Sequence, residues 1–283
     1  MKVMSLAYYN NKFKPLSETF IPVTDLIVQR GIGVFDSIRT YGRSPFALTD
    51  HINRLAGSAK MSGIAADDII AKLPAIIHEG LKRPELPDED MMVKAYITGG
   101  EINDRGHYPK PDFFVIFDDV HKITKEELTH GVALRKNMLE RPFPEVKSTN
   151  YLMAYIPMMF AKSADDFESL YIVNGEITES AASNFFLVLD GKLVTAPVGR
   201  VLDGITRKVL LTLAKENDIP VEIRCPLESE LAMADEAFIT GSVKEVLPVI
   251  RIGDQVIGTG KPGPIAHRLL ELYNANIGRW LEK

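Results

Sequence analysis

Pro144-Glu145-Val146-Lys147-Ser148-Thr149-Asn150-Tyr151 is the stretch on which the reading of this chain turns. It joins a proline-broken loop to an apolar run of 11 residues, Tyr151 to Ala161. Lysine is rarely buried, so one lysine among 33 Lys+Arg carries no meaning by itself. The segments downstream give it meaning. Ile177-Thr178-Glu179-Ser180-Ala181-Ala182-Ser183-Asn184 sets a carboxylate before small residues, against whose backbone a flat ligand can lie. Gly204-Ile205-Thr206-Arg207 opens a helix, and Thr240-Gly241-Ser242-Val243 follows a strand. Amides and hydroxyls at such positions, helped by the helix dipole, suit a phosphate.

Composition narrows the classes. The 283 residues are 46% hydrophobic and 25% charged, an ordinary globular balance for one large domain or two medium ones. A net charge of −5 leaves no basic footprint for nucleic acid. Cys225 is the only cysteine, which excludes an internal disulfide framework and fits a reducing compartment. The N-terminal residues open no long apolar stretch, and the 11-residue run is too short for a bilayer and is interrupted by Pro157. A cytoplasmic protein without membrane association is expected. No histidine, cysteine and carboxylate cluster has zinc spacing, so no metal is expected. Gly31-Ile32-Gly33 lacks the third glycine of a dinucleotide fingerprint, and neither a nucleophile elbow nor a Walker loop is present.

Periodicity and turn residues predict an α+β (mixed α/β) fold in two domains. Asn10-Asn11, Gly42-Arg43, Asn174-Gly175, Asp190-Gly191 and Gly253-Asp254 mark hairpins. Thr49 reads as the N-cap of a helix from Asp50 to about Gly63, and Ala66 to Lys82 as a second helix. Met91 to Thr98, Phe113 to Phe117 and Val132 to Asn137 read as strands. Asn150 to Ser163, Ile205 to Glu216 and Pro264 to Asn276 read as helices. The charged stretch 120–129 is taken as a linker between an N-terminal domain, 1–119, and a C-terminal domain, 130–283.

The candidate residues have definite chemical uses. A partly buried lysine can lose its proton and attack a carbonyl carbon, which suits Lys147. A carboxylate such as Glu179 beside a pyridine nitrogen keeps that nitrogen protonated. Arg54, in the early turns of its helix, can reach a phosphate, or can pair with Asp50 one turn back. Arg105 and His107, in the polar loop Gly99 to Asp112, can clamp a substrate carboxylate, and Arg39 on its strand is a second candidate for that role. Singly, each has a plainer reading as a solvated loop or surface residue. A lysine, a carboxylate and two hydroxyl-bearing turns, in that order, are the parts that hold pyridoxal 5′-phosphate.

Six motifs in order resemble the class IV aminotransferases, the fold-type IV pyridoxal-phosphate enzymes. They are Arg30 to Tyr41, Asp50-His51-Ile52-Asn53-Arg54-Leu55, Lys147 to Tyr151, Glu179 with Ser183-Asn184, Gly204 to Arg207, and Thr240-Gly241-Ser242. The resemblance spans about residues 5 to 275. It implies that Lys147 holds the cofactor covalently and shuttles the substrate's Cα proton, and that Glu179 binds the pyridine nitrogen. It implies phosphate contacts from Arg54, Ile205, Thr206, Ser242 and Val243, and a hydrogen bond from Tyr151 to the ring hydroxyl. It implies a homodimer with shared active sites, acting on a small amino acid and a 2-oxo acid.

Within the family, Arg105-Gly106-His107 is similar to the carboxylate trap of D-amino-acid members, which the partner subunit's loop supplies. Phe35 instead stands where those members carry tyrosine, and Ile38-Arg39-Thr40-Tyr41 resembles the branched-chain pattern. Phe35, Arg39, Arg105 and His107 are thus the candidate substrate contacts. The favoured expectation is a transaminase for D-amino acids such as D-alanine and D-glutamate. An L-branched-chain transaminase is the alternative. An aminodeoxychorismate lyase and a non-catalytic phosphate-ligand module stand further off.

Overall fold

Turn chemistry sets the hairpins of this chain. Asn10-Asn11, Asn174-Gly175 and Asp190-Gly191 all take positive φ at both central positions, between 48° and 79°. That backbone matches the right-handed twist of the flanking strands, and Asn, Asp and Gly tolerate it best. The computed structural model describes residues 5–101, 110–159 and 166–282. They form two units, one of Met1–His121, Val146–Asn150 and Gly278–Lys283, the other of Lys122–Glu145 and Tyr151–Ile277.

The first unit contains strands β1 (Leu6–Tyr9), β2 (Lys12–Pro15), β3 (Gly33–Tyr41), β4 (Ser44–Pro45), β5 (Met91–Glu101) and β6 (Lys110–Asp119). Its helices are α1 (Leu26–Arg30), α2 (Leu48–Met61) and α3 (Asp67–Leu81). The strands make one antiparallel sheet in the order β2-β1-β6-β5-β3-β4. Strand alternation sends Val34, Ile38, Val93, Ala95, Val115 and Phe117 into a core with Leu55, Leu73 and Ile77 of the helices. Two local expectations change. Helix α2 starts earlier than predicted, after Ala47 in the left-handed region (φ 47°), and Thr49 does not cap it. The Thr49 amide and hydroxyl instead donate to the Glu282 carboxylate at 2.9 and 2.7 Å. Helix α3 runs through Pro74; of the stripe that the spacing predicts, Ile69, Leu73, Ile76 and Ile77 are buried and Ile70 is partly buried.

The second unit holds α4 (Lys125–His130), β7 (Val132–Asn137), α5 (Leu152–Met159), β8 (Asp166–Val173), β9 (Glu176–Ser180), β10 (Ser183–Leu189), β11 (Lys192–Thr195), α6 (Ile205–Glu216), β12 (Val221–Ile223), β13 (Glu236–Gly241), β14 (Glu245–Ile252), β15 (Gln255–Val256) and α7 (Pro264–Asn276). The stretch read as a linker carries helix α4, fixed by a capping box between Thr124 and Glu127. The sheet order β12-β11-β10-β13-β14-β7-β8-β9 is closed by an added β9–β10 pairing. Six strands, β10-β13-β14-β7-β8-β9, therefore form a ring around Leu134, Leu170, Ile172, Phe185, Leu187 and Leu247. Among the described residues no helix is long and apolar enough to cross a membrane.

Gly80 lies inside α3 with the Phe117 ring against it; a Cβ there would fall 2.1 Å from that ring, which is fully buried. Glycine to alanine in an open helix stabilises by about 1 kcal/mol. Here overpacking reverses the sign, and Gly80→Ala is expected to destabilise by about 1–3 kcal/mol. Urea denaturation measures it, and a raised midpoint would show that the ring yields freely.

Candidate active site

Lys147 belongs to a short stretch that pairs with β3. The Phe35 amide donates to the Lys147 carbonyl at 2.9 Å, and the Thr149 amide donates to the Gly33 carbonyl at 2.9 Å. The Thr149 hydroxyl adds a bond to the Gly31 carbonyl at 2.9 Å, and the Lys147 amide donates to Ser58 Oγ of α2 at 3.1 Å. The backbone at Lys147 is therefore held on both sides, and its side chain is half-buried. Lys147 Nζ stands 4.6 Å from the centroid of the Phe35 ring. Phe35 stacks on Tyr96 at 5.3 Å, and Tyr96 stacks on Phe114 at 4.6 Å. These rings form a ladder on the sheet face turned away from α2 and α3.

Behind the ladder, on the helix side of β3, lies a buried charged trio. Asp36 is fully buried and His51 is 1% exposed. Arg54 grips the Asp36 carboxylate with both Nε (2.8 Å) and a terminal nitrogen (2.7 Å), and His51 Nδ1 sits 2.7 Å from the same carboxylate. Arg54, for which the sequence offers Asp50 one turn back, makes a long-range fork to Asp36. Burial pushes the Asp36 carboxyl up, but Arg54 and His51 outweigh it and hold the group well below the usual carboxylate range. Burial lowers the His51 imidazole, Asp36 pulls it back, and Arg54 and Lys147 push it down again; the net shift is downward.

The other substrate candidates differ in placement. Arg39 shares the open face of β3 with Phe35, Ser37 and Tyr41. Its guanidinium is 3.4 Å from Asp90 and stacks over Tyr41 at 4.5 Å. Arg105 and His107 lie outside the described residues. Lys94, which the sequence does not single out, stands opposite Ser37 on β5, half-buried on the same face.

In the second unit, Glu179 sits where the ring closes. Asn184 is its register partner across the Ala181-Ala182 turn. Glu179 is 4% exposed. Its carboxylate accepts the Leu202 amide at 3.0 Å and the Asn184 side-chain amide at 3.5 Å. Arg141 Nε is 2.8 Å from its other oxygen, as an ion pair rather than an aligned hydrogen bond. A buried carboxylate needs such partners to remain charged. Burial raises the Tyr151 phenol; Arg141 and Lys244 oppose the shift, while Glu168 and Glu179 reinforce it. The phenol therefore stays protonated through the neutral range.

The phosphate candidates are on two turns of that unit. Helix α6 begins at Ile205 after Gly204, whose side is closed by Asn184; a Cβ on Gly204 would fall 1.8 Å from Asn184 Oδ1. Its N-cap residue is Gly204, which has no side chain to cap it. Thr206 is 3% exposed in its first turn. Ser242 and Val243 lie in the β13–β14 turn, and Thr240 just before it keeps a buried hydroxyl with no hydrogen-bond partner among the described residues.

A family model described as "Amino-transferase class IV" matches residues 33–252. This chain belongs to the class IV aminotransferases. D-alanine aminotransferase of Bacillus licheniformis is 31% identical over 269 residues, covering 94% of this chain and 93% of the relative. A putative branched-chain-amino-acid aminotransferase of Methanocaldococcus jannaschii is 33% identical over 282 residues, covering 96% of each. In fold, branched-chain amino acid aminotransferase of Escherichia coli gives a TM-score of 0.87 at 24% identity over 99% of both chains. The T.th. branched-chain amino acid aminotransferase with pyridoxamine 5′-phosphate gives 0.85 at 25% identity, covering 100% of this chain and 99% of that one. The α+β assignment and the family resemblance hold.

Aminotransferases of this class use pyridoxal 5′-phosphate. The residues present fit that group: a buried, partnered carboxylate at Glu179, a helix N-terminus at Ile205 and Thr206 opened by a glycine, and at Thr240 a buried hydroxyl with no hydrogen-bond partner among the described residues. Asp36 and His51 lie inside the motifs quoted above, but their contact with Arg54, like that of Arg141 with Glu179, arises only through tertiary packing.

Removing one partner from a buried ion pair costs about 3–5 kcal/mol, and Asp36→Asn is expected to lower the urea midpoint accordingly. Its pKa in the folded chain is depressed, so Asp36 contributes stability that is complete above the unfolded carboxylate range and is lost as pH falls through the folded value. Urea midpoints followed from about pH 5 down to about pH 3 should therefore fall more steeply in the unaltered protein than in Asp36→Asn. Parallel slopes would remove Asp36 as a source of acid sensitivity.

Proposed function

We propose that this aminotransferase moves an amino group from a D-amino acid, such as D-alanine or D-glutamate, to a 2-oxo acid. Lys147 binds the cofactor and moves a proton at the substrate Cα. Pyridoxal 5′-phosphate, when bound, supplies an electron sink for the pair left at that carbon. Glu179, paired with Arg141 and bonded by the Leu202 amide, holds a proton on the pyridine nitrogen. Tyr151, with its phenol protonated, donates to the ring hydroxyl. Arg54, aimed by Asp36, joins Ile205, Thr206, Ser242 and Val243 in binding phosphate. Amino acid and 2-oxo acid use the site in turn, so the kinetics are ping-pong.

One observation carries the stereochemical reading. Arg39, the carboxylate reader that the branched-chain pattern would use, is already engaged by Asp90 and Tyr41. That engagement favours Arg105 and His107, which are similar to the trap of D-amino-acid members, as the readers of the α-carboxylate. The relative from Bacillus licheniformis supports the same choice. The L-branched-chain reading draws on the Phe35–Tyr96–Phe114 ladder, an apolar wall that suits an aliphatic side chain, and on the archaeal relative. The reading places the enzyme in the cytoplasm as a homodimer; the exposed apolar residues of α5, Leu152, Tyr155, Ile156 and Met159, accord with a partner surface.

The test mixes holoenzyme with single D- and L-amino acids and follows the visible spectrum together with 2-oxo acid release. Reaction with D-alanine and none with L-leucine is expected; the reverse pattern would overturn the D-specific reading. Lys147→Ala should lose at least about 10²–10⁴-fold in turnover, the range for a removed proton-transfer group. Arg105→Ala forfeits a charge-assisted bond of about 1.5–3 kcal/mol and should raise KM for D-alanine by roughly 10–100-fold. An unchanged KM would take Arg105 out of the trap.

A further inference from the structure

We infer that Lys244 and Glu168 form a positioning pair that bolts the Ser242–Val243 turn to the Ala181–Ala182 turn, and so shapes the first of these for phosphate. The inference rests on the cofactor reading above. Lys244 is the third residue of the loop joining Gly241 to Glu245, and Glu245 closes that loop in the left-handed region at φ 51°. The Lys244 side chain is only 14% exposed and that of Glu168 only 8%. The Lys244 ammonium donates to one Glu168 oxygen and to Ser183 Oγ, at 2.5 Å from the hydroxyl. The other Glu168 oxygen accepts the Ala182 amide, and Ser183 Oγ lies 3.1 Å from Oε2. One carboxylate on β8 thus binds both turns. An independent contact shows that the turns abut: a Cβ on Gly241 would meet the Ala182 carbonyl oxygen at 3.6 Å.

The energetics point to shape rather than to stability or charge. A buried pair gives up as much in desolvation as it gains in attraction, and apolar replacements often serve stability equally well. What it does supply is a fixed register between two turns that are not neighbours in sequence. The pair is also net neutral, so Lys244 offers little free charge to a dianion. If Lys244 attracted the phosphate directly, removal of Glu168 would strengthen binding. If it holds the turn, loss of either partner weakens binding.

The test uses apo-protein and compares pyridoxal 5′-phosphate with pyridoxal, which lacks the phosphate, by equilibrium dialysis. Lys244→Met and Glu168→Gln are each expected to weaken pyridoxal 5′-phosphate at least about tenfold, the effect of a lost charge-assisted bond, while pyridoxal changes by less than about twofold. Lys244→Arg should recover most of the loss. Equal weakening of both ligands would reduce the pair to general scaffolding, and tighter binding by Glu168→Gln would make Lys244 a direct phosphate contact; either overturns the inference. So does unchanged binding in both variants. Glu168→Gln keeps the question decidable if Lys244→Met does not fold. Failure of the unaltered protein to bind pyridoxal 5′-phosphate would instead overturn the cofactor reading, and this inference with it.

Discussion

Antiparallel closure between β9 and β10 is the constraint on which the second unit depends. With that pairing, six strands become a ring, and Glu179 and Asn184 face each other where the ring is sealed. A carboxylate in such a place has to be partnered or neutralised. This one receives the Leu202 amide, the Asn184 amide and the Arg141 guanidinium. The turn between Glu179 and Asn184 is made by Ala181 and Ala182, whose amides bond to the Ser169 carbonyl and to Glu168. The same closure explains why Gly204 must lack a side chain, since Asn184 occupies the space that a Cβ would need.

The first unit solves a different problem, that of aiming a long arginine. Arg54 has many rotamers when free. The fork to Asp36 leaves it few, and His51 fills the remaining side of the carboxylate. On the opposite face of the same strand, Phe35 presents its ring to Lys147. One strand, β3, thus orients an arginine on one face and borders the lysine on the other, through the period-two alternation of its side chains.

Much of this was legible in the sequence. Asn-Gly and Asp-Gly pairs marked their hairpins because few other residues adopt that backbone, and the helices α6 and α7 start and stop where their apolar stripes do. The lysine, the carboxylate and both hydroxyl turns could be picked out by their order. Contacts between residues distant in the chain could not. Thr49 looks like a helix cap until Glu282 takes its amide. Arg54 has an acid one turn back, and nothing local says that it will turn to Asp36. The stretch around Lys147 reads as a loop because its partner strand lies more than a hundred residues earlier. Arg141 and Lys244 were silent for the same reason: charged residues in turns are common, and only packing distinguishes a buried one.

Neither unit is a continuous piece of chain. The first draws on Val146–Asn150 and Gly278–Lys283 as well as on its own amino-terminal residues. On a ribosome, which releases the chain from its N-terminus onward, β3 must therefore wait for its partners at 147 and 149, and α2 for the acid that holds Thr49. The segment bearing the lysine settles only after the surface that receives it exists. No cleavage at the junction near residue 121 would therefore free a complete half.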